Sequence, residues 1–228
     1  MIIAGIDEAG RGPLFGPMVM AIVAIKKNEQ GFLVDLGVKD SKQLTPEKRT
    51  KISSKLKKTI NYEIVSISPE EIDNALISKE LNLNWLEAIK SSELLIALNK
   101  RIKIDKLYLD CPSNNIKAYT KYLKNYISTL SKSVKPQIIA EFKADEIYPV
   151  VSAASILAKV ERDREIQKLK EEYGDLGSGY PSDEKTRKFL KNWIKKHNDL
   201  PPFVRKTWKT VKNIKNELSQ KKLDSFNK

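Results

Sequence analysis

The chain has 228 residues, 40% of them hydrophobic and 31% charged, with 42 Lys and Arg against 29 Asp and Glu for a formal net charge of +13. This is globular composition, which argues against disorder, and no apolar run approaches the roughly 18 residues of a membrane span, so no membrane-spanning segment is expected. The single cysteine, Cys111, excludes an intramolecular disulfide and fits a reducing, cytoplasmic setting.

The first predicted strand covers 2–6 and ends at Asp7. A turn follows at Gly10-Arg11-Gly12-Pro13, then a second strand over 19–25. The apolar run 18–25 has neither a basic flank nor a small-residue cleavage site, so it is not read as a signal peptide. Thr45-Pro46 is an N-cap followed by proline at the first helical position, opening a basic helix over 46–58. A third strand covers 62–67, and helices are expected over 69–77 and 84–100. A short strand over 107–109 ends at Asp110. A helix over 116–130, a strand over 137–142 and a long helix over 149–173 follow. The first half of that helix (Val150, Val151, Ala153, Ala154, Ile156, Leu157) is apolar on every side, which implies burial all round. Loop signals fill 174–181, and two basic helices are expected over 183–196 and 203–218. In the last, Val204, Trp208, Val211 and Leu218 form one apolar stripe, with Arg205, Lys206, Lys209, Lys212 and Lys215 pointing outward around it. Three strands followed by alternating strands and helices imply an α/β sheet, antiparallel in its first half and parallel later.

The positive excess points to a polyanion, either nucleic acid or an acidic membrane surface, with plain solubility as the bland alternative. It is concentrated at the end of the chain, where 183–228 holds 14 Lys and Arg against 5 Asp and Glu. The division expected is a domain over 1–180 and a basic C-terminal helical region over 181–228.

Asp7, with its neighbour Glu8, and Asp110 fall at the C-terminal ends of predicted strands, where open α/β sheets bind ligands. Adjacent strand ends lie roughly 4.8 Å apart, which suits carboxylates holding one or two hard divalent ions. Without a cation, such carboxylates repel and raise one another's pKa. The alternative is a polar strand end feeding a turn. A third acid, Asp145, precedes the long buried helix, where it could be a helix N-terminal anion or a ligand, and Glu141 and Glu146 compete with it. The glycines of Gly10-Arg11-Gly12 let backbone amides approach a ligand, and Arg11 could pair with a phosphate; a tight turn is the bland reading. Lys42, in Asp40-Ser41-Lys42, could hold a phosphate or belong to a polar turn. Tyr180, in a glycine-rich loop, could stack on a base or sugar, or simply pack. His197, the only histidine, is read as a solvated helix-end residue, and Cys111 as a buried thiol.

Four segments together resemble ribonuclease HII, the type 2 ribonuclease H family, in its archaeal branch. They are residues 5–13 (Gly-Ile-Asp-Glu-Ala-Gly-Arg-Gly-Pro), 37–44, 143–156 (from Lys-Ala-Asp-Glu to Ala-Ala-Ser-Ile) and 177–183 (Gly-Ser-Gly-Tyr-Pro-Ser-Asp). The match runs to about residue 211. The resemblance implies a ribonuclease H-like α/β fold, a mixed five-stranded sheet flanked by helices with a C-terminal helical extension. It implies four metal-binding catalytic carboxylates, which fall on Asp7, Glu8, Asp110 and Asp145, and two divalent ions, Mg2+ or Mn2+. It further implies that Gly10, Arg11 and Gly12 read the 2′-hydroxyl at an RNA–DNA junction, that Tyr180 stacks on the sugar beyond it, and that Lys42 lies near the scissile phosphate. The implied activity is hydrolysis of RNA in RNA/DNA hybrids and cutting 5′ of ribonucleotides embedded in duplex DNA, leaving 5′-phosphate and 3′-hydroxyl ends. Phe142 departs from the histidine common before Lys-Ala-Asp. The rivals are a type 3 ribonuclease H, disfavoured because the first acid stands at position 7; another nuclease of the same fold; and a non-catalytic basic nucleic-acid-binding protein. A monomer is expected. A replication clamp is a possible partner for which no convincing motif is read in the tail after about Ser219.

Overall fold

A computed structural model describes residues 1–38, 44–78 and 80–226, with 221–226 by backbone alone. The elements in chain order are β1 (Ile2–Ala9), β2 (Met18–Lys26), a 3-10 turn (Lys27–Glu29), α1 (Gln30–Asp35), α2 (Pro46–Thr59) and β3 (Asn61–Ile67). Then come α3 (Pro69–Ile77), α4 (Leu83–Asn99), β4 (Lys106–Asp110), α5 (Ile116–Leu130), β5 (Gln137–Glu141), α6 (Ala144–Ile147), α7 (Pro149–Tyr173), α8 (Glu184–His197) and α9 (Lys209–Phe226). One sheet has the order β3-β2-β1-β4-β5. β1 is antiparallel to β2 and parallel to β4, which is parallel to β5. The expected antiparallel-then-parallel sheet is therefore present.

The chain divides into two compact units, residues 1–9, 19–66 and 82–161, and residues 10–18, 67–81 and 162–228. In the first, the sheet packs on the start of α7, whose Val150, Val151, Ala153, Ala154, Ile156 and Leu157 are fully buried. The all-apolar run is thus burial on every side, as its composition requires. Gly5 makes this packing possible. A Cβ there would lie 2.5 Å from the backbone carbonyl of Val150 and the nitrogen of Val151, so only a bare Cα lets β1 approach the helix. Elsewhere in this unit α4 packs on α5, with Trp85 stacked on Tyr122 at 4.4 Å.

Local capping sets the helix starts. The Thr45, Ser68, Asn82 and Asn115 side chains each accept from the backbone N–H three residues on, each satisfying one of the orphan donors of a first turn. The second unit has its own core, in which Phe15, Leu190, Phe203, Val204, Val211 and Ile214 are buried together. Its last helix corrects an expectation. It begins at Lys209, and 203–208 form an irregular segment in which Val204 bridges to Phe15. Arg205 is fully buried, not turned outward. Two short helices, α1 and α6, are additional to those expected from the sequence.

Candidate active site

The parallel register of β1 and β4 pairs Ile6 with Leu109, so Asp7 and Asp110 are the next residues along two neighbouring strands. β1 continues through Asp7 and Glu8 to Ala9, beyond the end expected at Asp7. Carboxylate oxygens of Asp7, Glu8 and Asp110 lie within 4.8 Å of one another. Asp7 is buried, and the other two are half-buried.

Two contacts fix these acids. The Glu8 backbone N–H donates to Asp7 Oδ1 at 2.8 Å, and the Ser155 hydroxyl of α7 also bonds the Asp7 carboxyl. The geometry of that second contact follows from Gly5. Asp7 lies two residues beyond Gly5, about 6.7 Å along a strand. Ser155 lies four to five residues beyond the Val150–Val151 contact, about 6–7.5 Å along a helix, so the two advances match. Asp110 Oδ1 accepts from the Ala144 N–H at 2.9 Å, which ties β4 to the start of α6. Asp145, the next residue, is buried on that short helix. It lies outside the three-carboxylate cluster.

Burial pushes the Asp7 carboxyl well above the ordinary carboxylate range; the Glu8 charge adds to the rise, the Ser155 hydroxyl opposes it and the Asp110 charge adds again. Two like charges about 4 Å apart repel by roughly 4 kcal/mol at an effective dielectric of 20. Three carboxylates in this space are therefore costly without a cation, and their hard oxygens fit Mg2+ or Mn2+. Asp7, Glu8 and Asp110 are placed to hold such an ion together.

The second unit contains the turn and the tyrosine. Gly10 has φ +84, and a Cβ there would lie 2.3 Å from Arg162 Nε. Only glycine meets both demands. A Cβ on Gly12 would meet only Tyr180 Cε1 at 3.9 Å, so the turn and Tyr180 are neighbours, and the Leu14 N–H donates to the Gly179 carbonyl at 2.7 Å. Tyr180 is 40% exposed, with the Arg162 guanidinium 5.5 Å from its ring centre. A partly exposed tyrosine beside the glycine turn is a candidate stacking platform.

The turn is braced from the end of the chain. Arg205 donates to three backbone carbonyls, from Nε to Gly16 at 3.1 Å, from Nη1 to Arg11 at 2.8 Å and from Nη2 to Gly10 at 2.5 Å. Trp208 Nε1 donates to the Gly12 carbonyl at 3.2 Å, and the Arg205 guanidinium lies 5.0 Å from the Trp208 ring centre. Burial lowers the Arg205 pKa to about 9, with Arg162 adding to the fall, while Asp73 and Tyr180 oppose it. Charge-assisted bonds contribute about 1.5–3 kcal/mol each, which offsets part of the cost of burying a cation.

The remaining candidates separate. Lys42, with Asp40 and Ser41, lies outside the described residues. His197 is exposed at the end of α8 and stacks on Trp193 at 4.2 Å. Cys111 is buried, its Sγ 3.5 Å from the Ser113 carbonyl, and burial raises its thiol pKa. Phe142 is 47% exposed. On α8, Arg187, Lys188, Lys191 and Lys195 line an open groove of about 550 Å³.

Sequence reading missed Ser155, Arg162, Asp73 and Arg205. A signal existed for Ser155, because a hydroxyl in a wholly apolar helix needs a buried partner. Arg162 sits in a run of mixed charge between Glu161 and Asp163, Arg205 sits beside Lys206 in a basic stretch, and no local spacing marks either.

The Ribonuclease HII family profile matches residues 4–211. The Ribonuclease HII of Pyrococcus furiosus is 47% identical over 99% of this chain and 98% of its own length. The solved ribonuclease H2 of Pyrococcus horikoshii is 43% identical, with a TM-score of 0.86 over 96% of this chain and 99% of that one. A structure of the PCNA:RNase HII complex from Archaeoglobus fulgidus matches at 39% identity, with a TM-score of 0.79 over 92% of this chain and 96% of that one.

Proposed function

This chain belongs to the ribonuclease HII family and is an endonuclease of RNA/DNA hybrids, and from that premise we propose that it cuts 5′ of single ribonucleotides in duplex DNA, leaving 5′-phosphate and 3′-hydroxyl ends. The observation that carries the reading is the convergence of Asp7, Glu8 and Asp110 within 4.8 Å. Two divalent ions, Mg2+ or Mn2+, would supply an acidified water and charge neutralisation at the leaving oxygen. Asp7, Glu8 and Asp110 would hold them, and Asp145 completes the set by resemblance to the family. Ser155 and the Glu8 N–H orient the Asp7 carboxylate, and the Ala144 N–H orients that of Asp110.

Gly10, Arg11 and Gly12 are assigned to the ribonucleotide, whose 2′-hydroxyl is the one group that separates RNA from DNA at that position. Tyr180 is assigned to stacking on the next sugar, and Lys42 to the phosphate that is cut. The test is a duplex carrying one ribonucleotide, incubated with Mg2+ or Mn2+ beside an all-DNA duplex. A single cut on the 5′ side of the ribonucleotide is expected. Equal cutting of both duplexes, or of neither, contradicts the reading.

The basic residues of 181–228 are assigned to duplex phosphates. Each cation withdrawn from a phosphate lowers the slope of log Kd against log salt by about 0.9. The exposed pair Lys188→Ala with Lys195→Ala should therefore flatten that slope by about 2, with kcat at saturating substrate unchanged. An unchanged slope would remove α8 from the interface.

A further inference from the structure

All three carbonyls of the Gly10-Arg11-Gly12 turn are bound by one four-residue segment. Arg205 holds those of Gly10 and Arg11, and Trp208 holds that of Gly12. The segment is itself anchored. Asp73, buried on α3, accepts from the Lys206 N–H at 2.7 Å, the Thr207 N–H at 2.9 Å and the Thr207 hydroxyl at 2.5 Å. The Arg205 N–H adds a bond to the Leu14 carbonyl at 2.9 Å.

The peptide geometry gives this bracing a direction. Among the described residues every peptide bond is trans, and in a trans peptide the C=O and the following N–H point opposite ways. Pinning the Gly10 carbonyl toward Arg205 therefore turns the Arg11 N–H away from it. Pinning the Arg11 carbonyl does the same for the Gly12 N–H. The third plane, held by Trp208, ends in Pro13, which has no donor. The brace thus fixes two donors on the far side of the turn. The planar fork of Arg205 reaches several carbonyls in fixed directions, which a lysine ammonium does not.

We propose that Arg205 and Trp208, anchored by Asp73, are positioning residues for ribonucleotide discrimination: they set the peptide planes through which the Gly10–Gly12 turn recognises a 2′-hydroxyl. The proposal rests on the reading above that this turn meets the ribonucleotide. It makes Trp208→Phe a sharp probe, because phenylalanine keeps an aromatic ring beside Arg205 and removes the N–H that holds the Gly12 carbonyl.

The experiment compares affinities for two duplexes that differ by a single 2′-hydroxyl, measured in EDTA so that neither is cut. The readout is the ratio of the two Kd values, which a reduced folded fraction does not move. Wild type should bind the ribonucleotide duplex about tenfold tighter, the worth of one well-placed hydrogen bond. In Trp208→Phe and Arg205→Lys the ratio should fall to near one, while the affinity for all-DNA duplex stays within about twofold. Folding is checked by thermal melting, and if Arg205→Lys fails to fold, Trp208→Phe decides. Folded Trp208→Phe with the wild-type ratio overturns the proposal. A wild-type ratio of one would overturn instead the assignment of the turn to the 2′-hydroxyl, on which the proposal depends.

Discussion

Asp7→Asn is expected to abolish cleavage at a ribonucleotide, lowering kcat by at least about 10³-fold, and at the same time to stabilise the ion-free protein. The first effect follows from removing a charged ligand. A loss of about 4 kcal/mol of transition-state stabilisation corresponds to roughly a thousandfold in rate. The second follows from the raised pKa of Asp7, whose largest cause is burial and whose next is Glu8. A carboxyl whose folded pKa lies above its unfolded value costs nothing below the ordinary carboxylate pKa. The cost appears as pH rises between the ordinary and the raised value, and is complete above the raised one. Asparagine keeps the shape without the charge. At neutral pH without divalent ions the variant should be about 2 kcal/mol more stable, or about 6 °C higher in Tm for a chain of this size. Added Mg2+ should raise the wild-type Tm and narrow the gap, and acidification should narrow it too. Parallel melting curves in EDTA and in Mg2+ check this, and a variant less stable than wild type in EDTA would contradict the electrostatic account.

Gly5→Ala is expected to be the most damaging single-methyl change in the first unit. The added Cβ meets three backbone atoms of Val150 and Val151 at 2.5 Å. No side chain can rotate out of the way, so the start of α7 must move. Overpacking of this kind costs about 1–3 kcal/mol where side chains yield, and the upper end or beyond is expected where backbone must. A fall in Tm of about 10 °C follows. The same displacement draws Ser155 from Asp7, so activity should fall even at temperatures where the variant is fully folded. Melting temperature and kcat at 25 °C measure the two effects, and a variant with the wild-type Tm would show that the strand and helix are not in close contact.

The parts of the site written in local pattern were legible in the sequence. Residues 2–6 and 107–109 read as strands because apolar residues run up to an acid; β4 does end at Asp110, while β1 runs on past Asp7 to Ala9. Thr45 with Pro46 marked the start of α2 because capping is a local interaction between a side chain and an N–H three residues on. The all-apolar start of α7 implied its burial. The place of Asp145 was different. Glu141, Asp145 and Glu146 lie together at the end of β5 and in α6, and only the resemblance to ribonuclease HII singled one out.

The end of the chain was misread for a physical reason. Val204, Trp208, Val211 and Leu218 recur at helical spacing, so 203–208 read as the first turns of a helix with Arg205 outward. The structure instead commits the Arg205 side chain to carbonyls some 190 positions earlier in the chain. Long-range bonds of this kind override helical periodicity and leave no trace in it. The same limit hid Asp73, whose bonds go to Lys206 and Thr207.

The central claim is that Asp7 and Glu8 on β1 and Asp110 at the end of β4 form a cation site. Diffraction from crystals soaked in Mn2+, recorded at the manganese absorption edge, locates the ion directly. An anomalous peak within about 2.2 Å of oxygens from all three carboxylates is predicted, lost in Asp7→Asn. Crystals of active protein with no peak at these carboxylates, or with manganese bound only elsewhere, would contradict it.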